Sequence, residues 1–176
     1  MINERMEEAF NKQINEELFS AYLYLSMSGY FESENLRGLA HWIKVQAYEE
    51  LYHAMKFFTH IVERGGTIKL QPIAEPKHKW TSPREAFFES LQHEKYITKC
   101  IDDLYNLAYQ EKDNVAKNLL SWFAQEQVEE ENSVTEIVAK LKMIGEQSSL
   151  VLMLDSQLSS RKTKVDVLNA SGSWDT

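Results

Sequence analysis

At 176 residues with a formal charge of -8 and a pI near 5.2, the chain is long enough to bury one core without disulfide or metal staples and too acidic to grip nucleic-acid phosphate. Only 6 glycines and 3 prolines interrupt a composition rich in Leu, Ile, Met, Glu, Lys and Gln, which favours long helices and starves turns. The single cysteine, Cys100, excludes an internal disulfide, the start has no apolar signal core, and the longest apolar run, Leu150 to Leu154, cannot span a bilayer. A cytoplasmic protein with no nucleic-acid or membrane partner is expected.

The first helical pattern runs from about Asn3 to Phe31 and the second from about Asn35 to Arg64, where Gly65-Gly66 supplies a stop. The third opens on Ser82-Pro83-Arg84-Glu85, a capping box with proline at the first helical position, and runs to about Gln110. Lys112-Asp113-Asn114 is a turn, with Asp113 capping a fourth helix that runs to about Met143, before Gly145. Each helix is then about 42 Å long. The short first and last links force antiparallel neighbours. The 18 residues from Gly65 to Ser82 reach about 59 Å when extended, enough for a crossover joining two parallel helices.

After Gly145, Ser148 to Leu158 reads as a short fifth helix, too apolar to lie bare and so packed on the bundle or in a subunit contact. The remaining residues, 159–176, read as a polar tail. The expected fold is all-α: a four-helix bundle with a long crossover between the second and third helices and a short fifth C-terminal helix. The domain covers residues 1–158.

Traced in steps of three and four, each buried stripe is apolar until an acid interrupts it. The first is Phe10, Ile14, Glu17, Ala21, Tyr24, Ser28, Phe31; the second Leu39, Ile43, Gln46, Glu50, His53, Phe57, Ile61. The third is Phe87, Leu91, Glu94, Thr98, Ile101, Tyr105, Ala108; the fourth Leu119, Phe123, Gln127, Glu130, Val134, Ile137, Leu141. All four interruptions lie within about two turns of their helix midpoint, so equal helices bring them into one layer. Burying four carboxylates together costs several kcal/mol per ion unless cations compensate. Oxygen ligands with one imidazole suit iron or manganese, and Glu50 holds the position of a carboxylate bridging two metals.

The residues that carry a family likeness are Gln13-Ile14-Asn15-Glu16-Glu17 with Ser20-Ala21-Tyr22-Leu23-Tyr24, then Glu49-Glu50-Leu51-Tyr52-His53-Ala54-Met55, Glu63-Arg64-Gly65-Gly66, and Trp122 to Glu131. With these, the chain to about Leu158 resembles the non-haem ferritins of bacteria and archaea. Ferritin-like di-metal bundles carry one Glu on each of two helices and Glu-x-x-His on the other two. This chain departs at the fourth helix, which offers Gln127-x-x-Glu130.

The resemblance implies a ferroxidase that oxidises Fe(II) to Fe(III) with dioxygen, in a cage of 24 subunits storing ferric mineral. One iron is then expected at Glu17, Glu50 and His53, and a second at Glu50, Glu94 and Glu130 with Gln127 beside it. A third is expected on the cavity side at Glu49, Glu126 and Glu129 with Glu130 shared. Tyr24, two turns from Glu17, is placed to hydrogen-bond the centre or to donate an electron. No haem is expected, since Leu51 stands where a haem-binding bacterioferritin has methionine. The other histidines, His41, His60, His78 and His93, lack spaced partners and read as structural, and Cys100 as an inert or surface thiol.

Overall fold

The computed structural model describes residues 1–145 and 147–162, and among them are five helices and no strand: α1 (Glu4–Ser33), α2 (Arg37–Glu63), α3 (Pro83–Gln110), α4 (Asn114–Ile144) and α5 (Ser148–Leu158). The all-α bundle with its crossover and short last helix is as expected. Residues 163–176 of the expected tail lie outside the described residues.

The helix ends follow their side chains. Asn3 accepts from the Met6 amide at 2.8 Å and Asp113 from the Ala116 amide at 3.0 Å. Ser82 accepts from the Glu85 amide at 3.2 Å. Glu85 does not complete the expected capping box, because its carboxylate takes the Thr81 amide and hydroxyl instead. The second helix starts at Arg37 rather than Asn35, since Asn35 adopts a left-handed φ of 60° that no helix continues.

Helix α1 packs on α2 and α3 on α4, with α1 also against α3. The crossover lies along α1 as an extended strap. Asn11 donates to the Thr67 carbonyl and accepts from the Lys69 amide, and Ser26 donates to the Lys77 carbonyl. Trp80 then enters the core 5.4 Å from the Tyr30 ring.

The core falls into two apolar clusters. One holds Phe31, Trp42, Ile43, Phe87, Val134 and Leu141, the other Phe10, Phe57, Ile97, Leu104, Leu120 and Phe123. On each of the four long helices the candidate acids sit between the two, so the polar layer is a slice through the bundle sealed at both faces. Three stripe assignments shift by one residue, the first because Ile97 is buried where Thr98 is only partly so. Tyr105 is 38% exposed while Leu104 is buried, and Leu120 is buried where Leu119 is only partly so. A 3.6-residue period allows a step of three or four at each turn, and packing against the facing helix decides which residue turns inward.

Helix α5 folds back on α2 and α4. Leu154 and Leu158 complete the first cluster. Leu36, the residue before α2, gives no side-chain cap, and Asp155 replaces it by accepting from the Leu39 amide at 2.9 Å. The approach is close enough that a Cβ at Gly38 would stand 1.7 Å from the Asp155 carbonyl oxygen.

Candidate metal centre

Glu17 on α1, Glu50 and His53 on α2, Glu94 on α3, and Gln127 and Glu130 on α4 are all buried, none more than 3% exposed. Ligand atoms of Glu17, Glu50 and His53 lie within 4.8 Å of one another. A second group with the same spacing joins His53 to Glu126 and Glu130. The His53 Nδ1 meets Glu50 Oε2 at 3.1 Å.

Amides and hydroxyls aim the carboxylates. Gln13 donates to Glu17 at 2.9 Å, and Gln46 donates to Glu50 and to Glu130. Tyr24 donates its hydroxyl to one oxygen of Glu94, and the Gln127 amide donates to the other at 3.3 Å. Gln127 also reaches the hydroxyl of Thr98, which in turn donates to Glu131 at 2.6 Å. Gln127 therefore sits here as a donor to Glu94. Sequence reasoning gave Gln13 and Gln46 no role, although a signal existed: each precedes a buried glutamate by four residues, the spacing at which side chains on a helix touch.

The electrostatics are those of acids crowded out of water. Burial, then the neighbouring Glu50, pushes the Glu17 carboxyl up to about 8. Burial raises Glu50, with Glu130 adding to it, and raises Glu94, with Glu50 and Glu130 adding. The Tyr24 hydroxyl is raised by burial and by Glu94 opposite it. Among the described residues no lysine or arginine forms an ion pair with Glu17, Glu50, Glu94 or Glu130, and the buried Glu17 Oε2 receives no hydrogen bond. A dense set of carboxylate oxygens with one imidazole, short of positive charge, has the donor chemistry of a site for hard or borderline divalent cations.

The three residues expected on the cavity side do not share one environment. Glu126 is half-buried and grouped with His53 and Glu130, Glu129 is exposed, and Glu49 is buried with an oxygen 2.5 Å from Arg161 Nη2. Arg161 belongs to the stretch expected as a polar tail, yet it docks on α2 through Trp42, Gln46 and Glu49, and no periodicity in the sequence marks it. His93, expected as structural, contacts Ser20 Oγ at 2.7 Å and forms a T-shaped pair with the Tyr24 ring, centroids 5.9 Å apart. Cys100 is half-buried beside Tyr96, with its thiol raised by burial.

The ferritin-like domain model matches residues 7–144. The chain is 41% identical over 161 residues to the bacterial non-heme ferritin of Bacteroides fragilis, covering 92% of this chain and 100% of that one. It is 33% identical over 161 residues to the bacterial non-heme ferritin of Staphylococcus aureus, covering 92% and 97%. The solved open-pore ferritin of the archaeon Archaeoglobus fulgidus superposes with a TM-score of 0.90 at 50% identity, covering 92% of this chain and 98% of that one. An engineered closed form of that ferritin gives 0.91, again at 50% identity, covering 92% and 99%. The chain belongs to the ferritin-like family, in its bacterial and archaeal non-haem type.

Among the described residues, no helix is long and apolar enough to cross a membrane.

Proposed function

We propose that the protein is an iron-storage ferritin subunit that oxidises Fe(II) with dioxygen inside its own bundle and keeps the ferric product within a hollow homo-oligomer of 24 subunits in the cytoplasm. The observation that carries this reading is the buried trio Glu17, Glu50 and His53, whose ligand atoms lie within 4.8 Å of one another between two apolar clusters. Iron is the substrate. Glu17, Glu50 and His53 take one Fe(II); Glu50, Glu94 and Glu130 take the other, with Gln127 holding Glu94.

Two Fe(II) ions give up one electron each, and one dioxygen accepts both together with two protons and leaves as hydrogen peroxide. Anionic oxygen ligands favour Fe(III) over Fe(II), which drives the electrons outward. The raised carboxyl groups release protons as iron enters, since only their anions bind it. Tyr24 stays protonated and donates to Glu94, fixing one ligand in place. Oxidised iron then passes on through Glu126, Glu129 and Glu49, an acidic route toward the stored mineral.

Mixing the metal-free protein with Fe(II) in air and following ferric absorbance alongside a sizing column tests the reading. Rapid oxidation with iron coeluting in a large assembly is expected. Absorbance rising no faster than in buffer, or iron eluting apart from protein, overturns it.

A further inference from the structure

We propose that Arg161 is a positioning residue that holds Glu49 and Gln46 and that a divalent cation must displace from Glu49. This rests on the reading above that Glu49 is a ligand on the cavity side.

Arg161 directly follows the two-residue turn 159–160 after α5, and its guanidinium is held on one face and at both terminal nitrogens. It lies over the Trp42 ring, 4.1 Å from the centroid. Its Nη1 donates to the Trp42 carbonyl at 3.1 Å and to Gln46 Oε1 at 2.9 Å, while Nη2 pairs with Glu49 Oε2 at 2.5 Å. Its own carbonyl meets His41 Nε2 at 2.8 Å. Only 16% of the side chain is exposed. So many contacts on a planar fork describe a docked group, and lysine cannot reproduce them because it lacks the fork and the flat face.

Two consequences follow for the acid layer. Glu49 already has its positive charge, so a cation that takes this carboxylate competes with a charge-assisted hydrogen bond. Gln46 has one acceptor and one donor end. With Arg161 on its oxygen, its amide nitrogen turns toward Glu50 and Glu130, which it reaches. The guanidinium is thus one amide removed from two proposed iron ligands. Because Asp155, Leu154 and Leu158 seat α5 on α2 and the core, the position of Arg161 is set by the docking of that helix.

The test is calorimetric titration of the full-length metal-free protein with Zn(II), a probe that neither donates nor accepts electrons. Wild type, Arg161→Gln, Arg161→Lys, Glu49→Gln and the double variant Arg161→Gln/Glu49→Gln are compared, with sizing and helical circular dichroism as checks on folding. Arg161→Gln is expected to tighten one class of Zn(II) sites about tenfold, as loss of a charged competitor implies, with Arg161→Lys in between and no tightening once Glu49 is Gln. Tightening that persists in the double variant overturns the proposal, as does an Arg161→Gln isotherm equal to wild type. If Glu49→Gln weakens Zn(II) uptake while Arg161→Gln changes nothing, the cation position stands and the arginine latch falls. If Glu49→Gln itself changes nothing, both fall.

Discussion

Tyr24 on α1 gives its hydroxyl hydrogen to the carboxylate of Glu94 on α3, and both side chains are fully buried. Replacing Tyr24 with Phe keeps the ring among its neighbours and removes only the donor. A buried acceptor deprived of its partner costs about 1–3 kcal/mol. Tyr24→Phe is therefore expected to lower the thermal midpoint of the metal-free protein and slow Fe(II) oxidation, while the assembly sizes as before. Stopped-flow absorbance with a sizing column checks this, and wild-type rates would leave Tyr24 as packing alone.

Glu50 faces both halves of the proposed centre, so Glu50→Ala is expected to slow Fe(II) oxidation at least about tenfold, the loss of a shared ligand being worth more than one hydrogen bond. The same change relieves repulsion among Glu17, Glu94 and Glu130, so the metal-free variant holds or gains stability. His53→Ala shares the kinetic defect. Differential scanning calorimetry beside the oxidation assay separates the two effects; wild-type oxidation by Glu50→Ala contradicts the assignment of a bridging role.

Glu17 titrates near 4.5 when exposed and at about 8 in the fold. Below the lower value both states hold the proton, and this group adds no pH dependence. Between the two values the unfolded chain has lost the proton that the folded chain keeps, so stability falls as pH rises, and it levels off above about 8. The thermal midpoint of the metal-free protein is expected to decline across this window, less steeply in Glu17→Gln. Zn(II) uptake should strengthen over the same window, with protons released. An identical pH slope in wild type and Glu17→Gln removes Glu17 as its source.

Helix α5 is tied to its own chain by Leu154, Leu158 and the Asp155 cap on α2. Gly38→Ala drives a methyl into the Asp155 carbonyl, and such overpacking costs about 1–3 kcal/mol, more than alanine regains in helix propensity. A fall of several degrees in thermal midpoint is expected. Truncation after Gly145 should leave a helical bundle, further destabilised, with a weakened or opened assembly on a sizing column. A truncated protein that sizes and retains iron like the full chain would make α5 dispensable.

The bundle, its four long helices and the acid on each buried stripe could all be read from the sequence, because helical periodicity, caps and turn residues are local and repeat every few residues. The height at which Glu17, Glu50, Glu94 and Glu130 meet was also readable, since equal helices joined by short links have little freedom to slide. Tertiary structure alone decided the rest. Whether Ile101 is followed inward by Leu104 or Tyr105 depends on the facing helix, as a period of 3.6 permits either. That Gln127 serves Glu94, that Asp155 caps α2 and that Arg161 lies on Trp42 against Glu49 are contacts between positions far apart in the chain. No local pattern encodes such pairs; they exist only once α5 has folded back and the helices have closed on the acid layer.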